Sequence, residues 1–422
     1  MAAPNKPKLT LEVDAEGRLA FPETLRKRWG LTPHAAVEVR TGPQGLLLFP
    51  QDPPLAKIYL EPTSRCNLAC HSCIRSSWDE PTGMLSSELF ERLIASLKRV
   101  PSFSAMSFWG MGEPLLHPRI AEMVASASAL GAETELVTNG LLLSRDTARD
   151  LIAAGLDRLI VSVDGASPEG HAAGHGGADL ATVQENVREL RLLRHDQGGA
   201  KPEIGIELVL GRGNLAELKR LRRLAFEMGA AFIILTNLMP YVEELKEEIL
   251  YWMAAEKPWT SSGSPFSPRM IAPRVDARPE NLAALNELFW SGCAAEPTPP
   301  LSRNPDADGH CRFVEQGAAA VAWDGGVSPC IPLMHSYRCF VLGREKRIRR
   351  WTVGHIATEE IGDIWNREEY RAFRRRVLEF DFSPCVHCGG CDFSESNEED
   401  CFGNRHPTCG DCLWARNIIV CP

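Results

Sequence analysis

The sequence predicts an α/β protein with a small β-rich unit before the main sheet and a cysteine-rich unit after it. Between residues 55 and 240, apolar strand-like segments and amphipathic helical segments alternate six times, which is the pattern of consecutive β–α units around a parallel sheet. Residues 9–50 contain short alternating segments separated by turn residues, and ten of the fourteen cysteines occur from Cys311 onward. These features divide the chain into residues 1–52, 53–255, 256–308 and 309–422.

The composition excludes several classes of protein. The chain has 422 residues, a net charge of −9, 44% hydrophobic and 24% charged residues, values typical of a globular protein with about three domains. The acidic balance argues against a general nucleic-acid binder. Neither an apolar segment near the N-terminus nor an apolar run of about 18 residues occurs, so we expect a cytoplasmic protein without membrane contact. In that compartment the cysteines are better explained as metal ligands than as disulfides.

Residues 1–52 are expected to form two short hairpins and one helix. The first hairpin turns at residues 14–17, the helix runs from Glu23 to Trp29, and residues 37–50 form the second hairpin. This pattern resembles the swapped-hairpin AbrB-type domain, in which two chains interleave, so the resemblance implies a homodimer. Such a unit could bind DNA, or it could serve as a module for dimerisation or docking. Docking is favoured because acidic residues nearly match the basic ones.

The central unit contains six predicted strands with helices between them. Such units imply a parallel sheet, open or partly closed, with ligands at the carboxyl ends of its strands. The predicted strands are Ile58–Glu61, Ala105–Trp109, Glu135–Thr138, Leu159–Val163, Ile204–Leu210 and Phe232–Leu235. The predicted helices are Glu88–Leu97, Ile120–Leu130, Asp146–Ala153, Ala181–Arg194 and Leu215–Phe226.

Three cysteines follow the first of these strands with asymmetric spacing. Cys66, Cys70 and Cys73 form a C-x3-C-x2-C run on one short loop. Three thiolates can hold three irons of a four-iron cluster and leave the fourth iron open, whereas structural zinc needs four closed ligands, usually drawn from two separate pairs. The loop therefore favours a reactive iron–sulfur site over structural zinc.

Together with Gly112-Glu113-Pro114, this loop resembles the radical S-adenosylmethionine (radical SAM) superfamily. The resemblance covers roughly residues 55–240 and implies a partial (β/α)6 barrel whose cluster loop follows the first strand. It also implies that the open iron binds the amino and carboxylate groups of S-adenosylmethionine. In the family, one electron then splits this cofactor into a 5′-deoxyadenosyl radical that takes a hydrogen atom from substrate.

The resemblance also implies which residues contact S-adenosylmethionine. The segment after the second strand would present backbone groups, and in some members a carboxylate, to the cofactor's ammonium group; here Met111 replaces a more common glycine. Polar residues ending the third and fourth strands would meet the ribose or the methionine carboxylate, although Asn-Gly and Asp-Gly are also ordinary turn formers. The residue before the third cysteine is often aromatic in the family but is Ser72 here. The candidate cofactor-binding residues are Gly110, Gly112, Glu113, Asn139, Ser162 and Asp164.

Residues 256–308 are rich in proline around one helical stretch, Leu282–Phe289, and are expected to form a bridge or lid and not a third core. The cysteines after them resemble the SPASM extension of radical SAM maturases, which implies two auxiliary [4Fe-4S] clusters. The G-x4-C ending at Cys330 fits that pattern, whereas the back half departs from it because position 394 is serine. The candidate ligands are Cys311, Cys330, Cys385, Cys388, Cys391, Cys401, Cys409, Cys412 and Cys421.

The expected division of these ligands places Cys385, Cys388, Cys391 and Cys421 on one cluster. The other cluster would take Cys311, Cys330 and Cys401 with either Cys409 or Cys412. A pair of zinc knuckles is the alternative. Three histidines, His171, His175 and His335, either line a site or lie on the surface, which is the commoner place for an isolated histidine.

The resemblance implies a maturase that modifies a protein, a peptide or a cofactor precursor. The tail from Asp400 to Pro422 resembles maturases that accompany tungsten-cofactor oxidoreductases, so such an oxidoreductase is a candidate partner. A ribosomal-peptide maturase that forms thioether or carbon–carbon crosslinks is the alternative within the family. A zinc-containing AbrB-type DNA-binding regulator is the alternative from another class. Ferredoxin or flavodoxin is the expected electron donor.

Overall fold

A computed structural model of the chain describes residues 11–31, 37–42, 45–78, 80–253, 259–261, 268–289, 309–385, 388 and 391–420. Its main feature is an eleven-stranded sheet, and two hairpins lie outside that sheet. The strands are β1 Val37–Gly42, β2 Gly45–Pro50, β3 Lys57–Leu60, β4 Ala105–Phe108, β5 Glu133–Thr138, β6 Arg158–Ser162, β7 Glu203–Leu210, β8 Phe232–Asn237, β9 Trp259–Ser261, β10 Arg269–Ala272, β11 Ala318–Val321, β12 Gly326–Ser328, β13 Tyr337–Val341, β14 Arg344–Ile348 and β15 Gly354–His355.

The helices cover the sheet and connect its strands. Several of those between the central strands begin at side-chain caps that the sequence supplies, such as Ser86 and Ser144, whose hydroxyls accept the N–H groups of Leu89 and Thr147. The helices are α1 Glu23–Arg28, α2 Ser87–Leu97, α3 Ile120–Ala129, α4 Arg145–Ala153, α5 Pro168–Gly174, α6 Leu180–Asp196, α7 Leu218–Met228, α8 Pro279–Phe289, α9 Arg312–Glu315, α10 Ile361–Asn366 and α11 Glu368–Glu379.

Strands β3 to β8 are parallel neighbours in chain order. Their apolar side chains are almost completely buried, for example Ile58, Leu136 and Ile206 at 0% exposure, as expected for strands covered on both faces. The predicted partial (β/α)6 architecture is confirmed, with strand bounds within two residues of the prediction. The carboxyl ends of all six strands lie at one edge of the sheet, where ligands bind in such folds.

The sheet does not stop at the predicted unit boundaries. Strand β10, from the proline-rich segment, pairs in parallel with β8, and β11, from the cysteine-rich segment, pairs in parallel with β3. The proline-rich segment therefore contributes strands β9 and β10 to the main sheet in addition to helix α8, which begins three residues before the predicted helix. The C-terminal segment extends the opposite edge of the same sheet.

The N-terminal unit has the helix and second hairpin that the sequence predicts. The turn of the first hairpin is held by Asp14, whose carboxylate accepts the N–H groups of Glu16 and Arg18, and Val13 bridges Leu19 beyond it. Five of the ten large hydrophobic side chains that are exposed among the described residues belong to this small unit. Those five are Val13, Leu19, Trp29, Val39 and Leu46.

A buried arginine joins the end of this unit to the C-terminal segment. Arg374 on α11 is 0% exposed, donates to the carboxylate of Asp52, and stacks over Trp365 at 4.0 Å. Arg371 donates to the other oxygen of Asp52 at 2.7 Å. Since a charge buried without partners would be costly, these contacts fix the start of the central unit against α10 and α11.

Candidate active site

The loop that carries Cys66, Cys70 and Cys73 follows β3 at the carboxyl edge of the sheet. All three thiols are partly exposed. The start of the loop is fixed by Thr63, whose hydroxyl donates to the carbonyl of Gly83 at 2.7 Å and accepts the N–H of Arg65 at 3.0 Å. The three thiols thus face solvent from a loop whose backbone is held in place.

Burial and, to a lesser extent, the nearby carboxylate of Asp164 together raise the pKa of the Cys70 thiol to about 12. Burial also raises the pKa of the Cys66 thiol. The N–H of Leu68, which donates to the Cys66 sulfur, partly offsets that rise. Since metal ligation requires thiolates, loading such a site releases protons. The three-thiol donor set and the N–H···S contact fit an iron–sulfur cluster.

The turn after β4, which contains Gly110 and Gly112, packs directly against the start of the cysteine loop. A Cβ atom on Gly110 would lie 2.3 Å from Cγ of Glu61, and one on Gly112 would lie 2.3 Å from the carbonyl oxygen of Thr63. Only glycine allows Gly110 to pack this closely on the Glu61 side chain and Gly112 on the backbone of the loop. The turn and the loop therefore form one wall of the site.

Glu113 lies under this wall, and its carboxylate is engaged by protein donors. It is 2% exposed and accepts the hydroxyl of Thr138 at 2.7 Å and the N–H groups of Leu115 and Asn139. Burial raises the pKa of Glu113, and these donors oppose that rise. The side chain of Asn139 in turn donates to Asn67, inside the cysteine loop, at 2.9 Å. Glu113 and Asn139 thus connect three loops at the edge of the sheet.

Ser162 and Asp164 end β6 on the same edge, and Asp164 meets two buried histidines. Burial raises the pKa of Asp164 to about 6. Its Oδ2 lies 3.3 Å from Nδ1 of His175, but the two atoms are not oriented to form a hydrogen bond. The ring of His175 stacks on that of His171, with centroids 4.6 Å apart. Burial lowers the pKa of both histidines to about 4, so both rings are neutral near pH 7.

This histidine pair corrects one expectation and completes the site. The isolated histidines were expected mainly on the surface, but His171, His175 and His335 are at most 5% exposed. Among the described residues, both ring nitrogens of His171 and Nδ1 of His175 are buried without a hydrogen-bond partner. Buried polar atoms are normally satisfied, so these nitrogens suit a polar ligand bound beside Asp164 and the cysteine loop.

Four C-terminal cysteines surround one buried cavity. Cys311 precedes α9, Cys330 follows β12, and Cys409 and Cys412 lie in the last loop; all four line a cavity with apolar walls that include Phe313 and Phe373. Burial raises the pKa of Cys311 to about 12, and the neighbouring thiol of Cys412 adds to that rise. A set of four convergent thiols in an apolar enclosure fits a four-iron cluster.

A second, outer set of cysteines lies near the surface. Cys385 is partly exposed, whereas Cys388, Cys391 and Cys401 are exposed. Burial raises the pKa of Cys385, with a small contribution from the thiol of Cys401. The structure thus places both Cys409 and Cys412 with Cys311 and Cys330, whereas the predicted division gave that cluster only one of the two and added Cys401, which does not line this cavity. Cys421 lies outside the described residues. Within the described part of the chain, no three His, Cys, Asp or Glu side chains are arranged to hold a single metal ion.

Comparisons with known proteins agree with this arrangement. The radical SAM superfamily model matches residues 60–225, and an iron–sulfur cluster-binding domain model, SPASM, matches residues 311–392. A tungsten-containing aldehyde ferredoxin oxidoreductase cofactor-modifying protein of Pyrococcus furiosus is 30% identical over 368 residues, which cover 86% of this chain and 96% of that protein. The chain belongs to the radical SAM superfamily, in its SPASM subfamily.

Further relatives of this radical SAM protein support the family and the fold. A mycofactocin maturase of Mycobacterium tuberculosis is 32% identical over 182 residues, 43% of this chain and 44% of that protein. The solved structure of native anSMEcpe with bound AdoMet and Cp18Cys peptide has a TM-score of 0.52 at 18% identity, covering 81% of this chain and 88% of that one. At that identity the structural likeness shows the fold alone.

Family membership defines the enzyme class and its cofactors. The radical SAM domain implies a [4Fe-4S] cluster and S-adenosylmethionine, and the SPASM domain implies auxiliary iron–sulfur clusters. The chain is thus a radical SAM enzyme of a family of maturases. As to membranes, none of the helices in the described residues has both the length and the apolar character needed to cross one.

Sequence reasoning named the three histidines and Asp164 as candidates but missed Glu61, Glu80 and the pairings themselves. His175 meets Asp164, and His335 meets Glu61 and Glu80, only in the folded chain. A signal was present in Glu61, a charged residue that directly follows an apolar strand, because side chains at that position face the ligand edge of such a sheet.

Proposed function

We propose that this enzyme reductively cleaves S-adenosylmethionine, and that the resulting 5′-deoxyadenosyl radical abstracts a hydrogen atom from a protein, peptide or cofactor precursor. Cys66, Cys70 and Cys73 would hold the cluster at the carboxyl edge of the sheet. Gly110 and Gly112 would offer backbone groups to the cofactor from a turn that packs against Glu61 and the start of the cysteine loop, where a Cβ atom would not fit.

The other side of the site would bind the polar parts of S-adenosylmethionine. Ser162 and Asp164 offer a hydroxyl and a carboxylate at the end of β6, and His171 and His175 offer three unpartnered ring nitrogens. Asn139 would position the cysteine loop through Asn67. The carboxylate of Glu113 already accepts hydrogen bonds from Thr138 and Asn139. Glu113 would therefore fix the loops around the site and would not contact the cofactor itself.

We propose the maturation of a tungsten-cofactor oxidoreductase as the biological reaction. One observation carries this proposal: the alignment with the cofactor-modifying protein of Pyrococcus furiosus spans nearly the whole of both chains. A tungsten-dependent oxidoreductase is therefore the partner we would test first.

A ribosomal-peptide maturase that forms thioether or carbon–carbon crosslinks is the second candidate. It is supported by the similarity to a mycofactocin maturase and to a PqqA peptide cyclase of Streptomyces rochei, 32% and 30% identical respectively. Those alignments cover less than half of this chain, which is why this candidate ranks second.

The auxiliary clusters and partners complete the proposal. We assign Cys311, Cys330, Cys409 and Cys412 to one auxiliary [4Fe-4S] cluster, and Cys385, Cys388, Cys391 and Cys401 to the other. The reductive step needs an external one-electron donor such as ferredoxin or flavodoxin. The exposed apolar side chains of the N-terminal unit favour a homodimer. The proposal places the enzyme in the cytoplasm and does not involve DNA.

The experiment compares an aldehyde ferredoxin oxidoreductase-type tungsten enzyme produced with the wild-type chain and with a Cys66→Ala/Cys70→Ala/Cys73→Ala variant. We expect the wild-type chain to contain about twelve irons if three four-iron clusters are present, to form 5′-deoxyadenosine, and to yield an active tungsten enzyme. The triple variant should lack the last two properties while keeping its auxiliary iron.

Each failure has a distinct meaning. Formation of 5′-deoxyadenosine by the triple variant would refute the cysteine assignment. Normal 5′-deoxyadenosine formation with equal tungsten-enzyme activity from both strains would refute the tungsten reaction, and peptide crosslinking would then be tested. A colourless zinc protein whose DNA binding depends on salt would support the regulator instead.

A further inference from the structure

A buried histidine from the C-terminal unit lies between two glutamates of the barrel. His335 is 1% exposed, its Nε2 is 2.9 Å from Oε2 of Glu61, and its Nδ1 is 2.7 Å from Oε2 of Glu80. The indole of Trp78 covers the imidazole ring, with centroids 4.4 Å apart. Both ring nitrogens therefore face a carboxylate oxygen, a geometry that suits an imidazolium donating at both ends.

The inner glutamate of this arrangement also holds the cofactor-binding turn. Glu61 is 0% exposed, and its Oε1 accepts the N–H of Met111 at 2.9 Å. Gly110 packs so closely on the same side chain that a Cβ atom would lie 2.3 Å from Glu61 Cγ. The position of the Glu61 carboxylate thus determines where the Gly110–Met111 segment lies.

The other contacts of this glutamate come from the C-terminal unit. The N–H of Glu61 donates to the carbonyl of Val321 on β11, and its Oε2 lies 3.3 Å from the N–H of Trp323. Arg350, paired with Asp324 at 2.7 Å, lies close enough to interact electrostatically with both glutamates. The negative charge of the two glutamates is therefore balanced mainly by residues of the unit that also carries the auxiliary-cluster cysteines.

We propose that His335 is a positioning residue for the S-adenosylmethionine site: by binding Glu61 it holds the Gly110–Met111 turn, so that the C-terminal unit sets the affinity of the barrel for its cofactor. This inference rests on the proposed function for the identity of the ligand. Its structural part, the coupling of His335 to the turn, can be tested without any reaction.

When the imidazole of His335 is removed, the buried carboxylate of Glu61 loses its charged hydrogen-bond donor. Such a group reorients toward water or another donor, and the Met111 N–H then loses its acceptor. We expect the His335→Gln variant to bind S-adenosylmethionine about tenfold more weakly, which corresponds to the loss of one well-placed interaction. Since the turn contacts the cofactor before and during the reaction, KM should rise while kcat changes little.

The test measures hydrogen exchange of the anaerobically purified holoenzyme together with KM and kcat for 5′-deoxyadenosine formation. In His335→Gln, peptides covering residues 109–113 should exchange faster than in wild type, and peptides covering β5 should not. His355→Gln is the matched control because His355 lies in the same unit and its ring nitrogen accepts only a local N–H, that of Ala357, among the described contacts.

A double-mutant cycle separates coupling from general destabilisation. Glu61→Ala and His335→Ala should each raise KM, and the double variant should raise it no further, because both act through one chain of contacts. Additive effects, or faster exchange spread evenly over the barrel, would overturn the proposal. If wild type forms no 5′-deoxyadenosine, the proposed function fails, whereas the exchange of residues 109–113 still decides whether His335 holds the turn.

Discussion

The carboxylate of Glu113 accepts the backbone N–H of Asn139 at 2.9 Å, and this contact ties the turn after β4 to the turn after β5. The other oxygen of Glu113 accepts the hydroxyl of Thr138 at 2.7 Å and the N–H of Leu115 at 3.0 Å. A residue selected from the sequence as a cofactor ligand is therefore bonded mainly to the protein. It acts on the site by fixing the relative positions of the loops that surround it.

Replacement of Glu113 by glutamine should lower the stability of the barrel. An amide places a donor where the carboxylate accepts from the hydroxyl of Thr138 or the N–H of Asn139, so at least one buried donor loses its partner, at a cost of about 1–3 kcal/mol. Thermal unfolding should show a melting temperature lower by several degrees. Glu122→Gln, at an exposed position on α3, is the control, and equal melting temperatures for the two variants would contradict this account.

The division of the auxiliary cysteines can be tested by counting iron. If Cys401 and Cys409 serve different clusters, the Cys401→Ala/Cys409→Ala variant should weaken both and retain about four of about twelve irons. If they share a cluster, as the sequence suggested, about eight should remain. Cys339→Ala is the control, because this buried thiol donates to the carbonyl of Lys346 and belongs to neither set.

The sequence predicted the barrel well because its signals are local. Each strand is a short apolar run followed by turn residues, and each helix has its own amphipathic pattern, with a side-chain cap at the start of α2, α4, α5 and α6. The C-x3-C-x2-C loop is equally local, since all three thiols lie within eight residues of chain. Elements and motifs of this kind can be identified without knowing what packs against them.

The arrangements that sequence reasoning missed depend on contacts between distant residues. Cys409 and Cys412 line a cavity with Cys311 and Cys330, which come much earlier in the chain, and Lys346 fixes this region by donating to Asp411 and to the carbonyl of Ser396. No spacing rule encodes such contacts. The same is true of His335, whose two partners precede it by 274 and 255 residues.

The N-terminal unit should mediate dimerisation through its apolar side chains. Val39 and Leu46 on its hairpin are 56% and 68% exposed, and a unit of this size buries too little surface to be stable alone. A Val39→Lys/Leu46→Lys variant should shift the mass in light scattering from that of two 46.6 kDa chains to that of one. Leu192→Lys, at a 44% exposed position on α6, should remain dimeric. A monomeric wild type, or a variant that stays dimeric, would refute this interface.

The stability of the barrel should depend on pH through Glu207, which lies on β7 and is 7% exposed. Burial raises the pKa of this carboxyl from 4.5 to about 8, and the carboxylate of Asp164 adds to the rise. The folded state thus binds this proton more tightly than the unfolded state does. The stabilisation is complete below pH 4.5 and is lost as the pH rises toward 8, by at most about 1.4 kcal/mol per pH unit.

Comparison with Glu207→Gln isolates this contribution from the buried histidines, whose lowered pKa values act in the opposite direction. The melting temperature of the variant, relative to wild type, should increase steadily between about pH 5 and pH 8. Glu203→Gln, which changes a more exposed glutamate at the start of the same strand that pairs with Arg269, is the control for replacing a carboxylate by an amide in this strand. A constant difference for Glu207→Gln would mean that the carboxyl of Glu207 titrates alike in the folded and unfolded states.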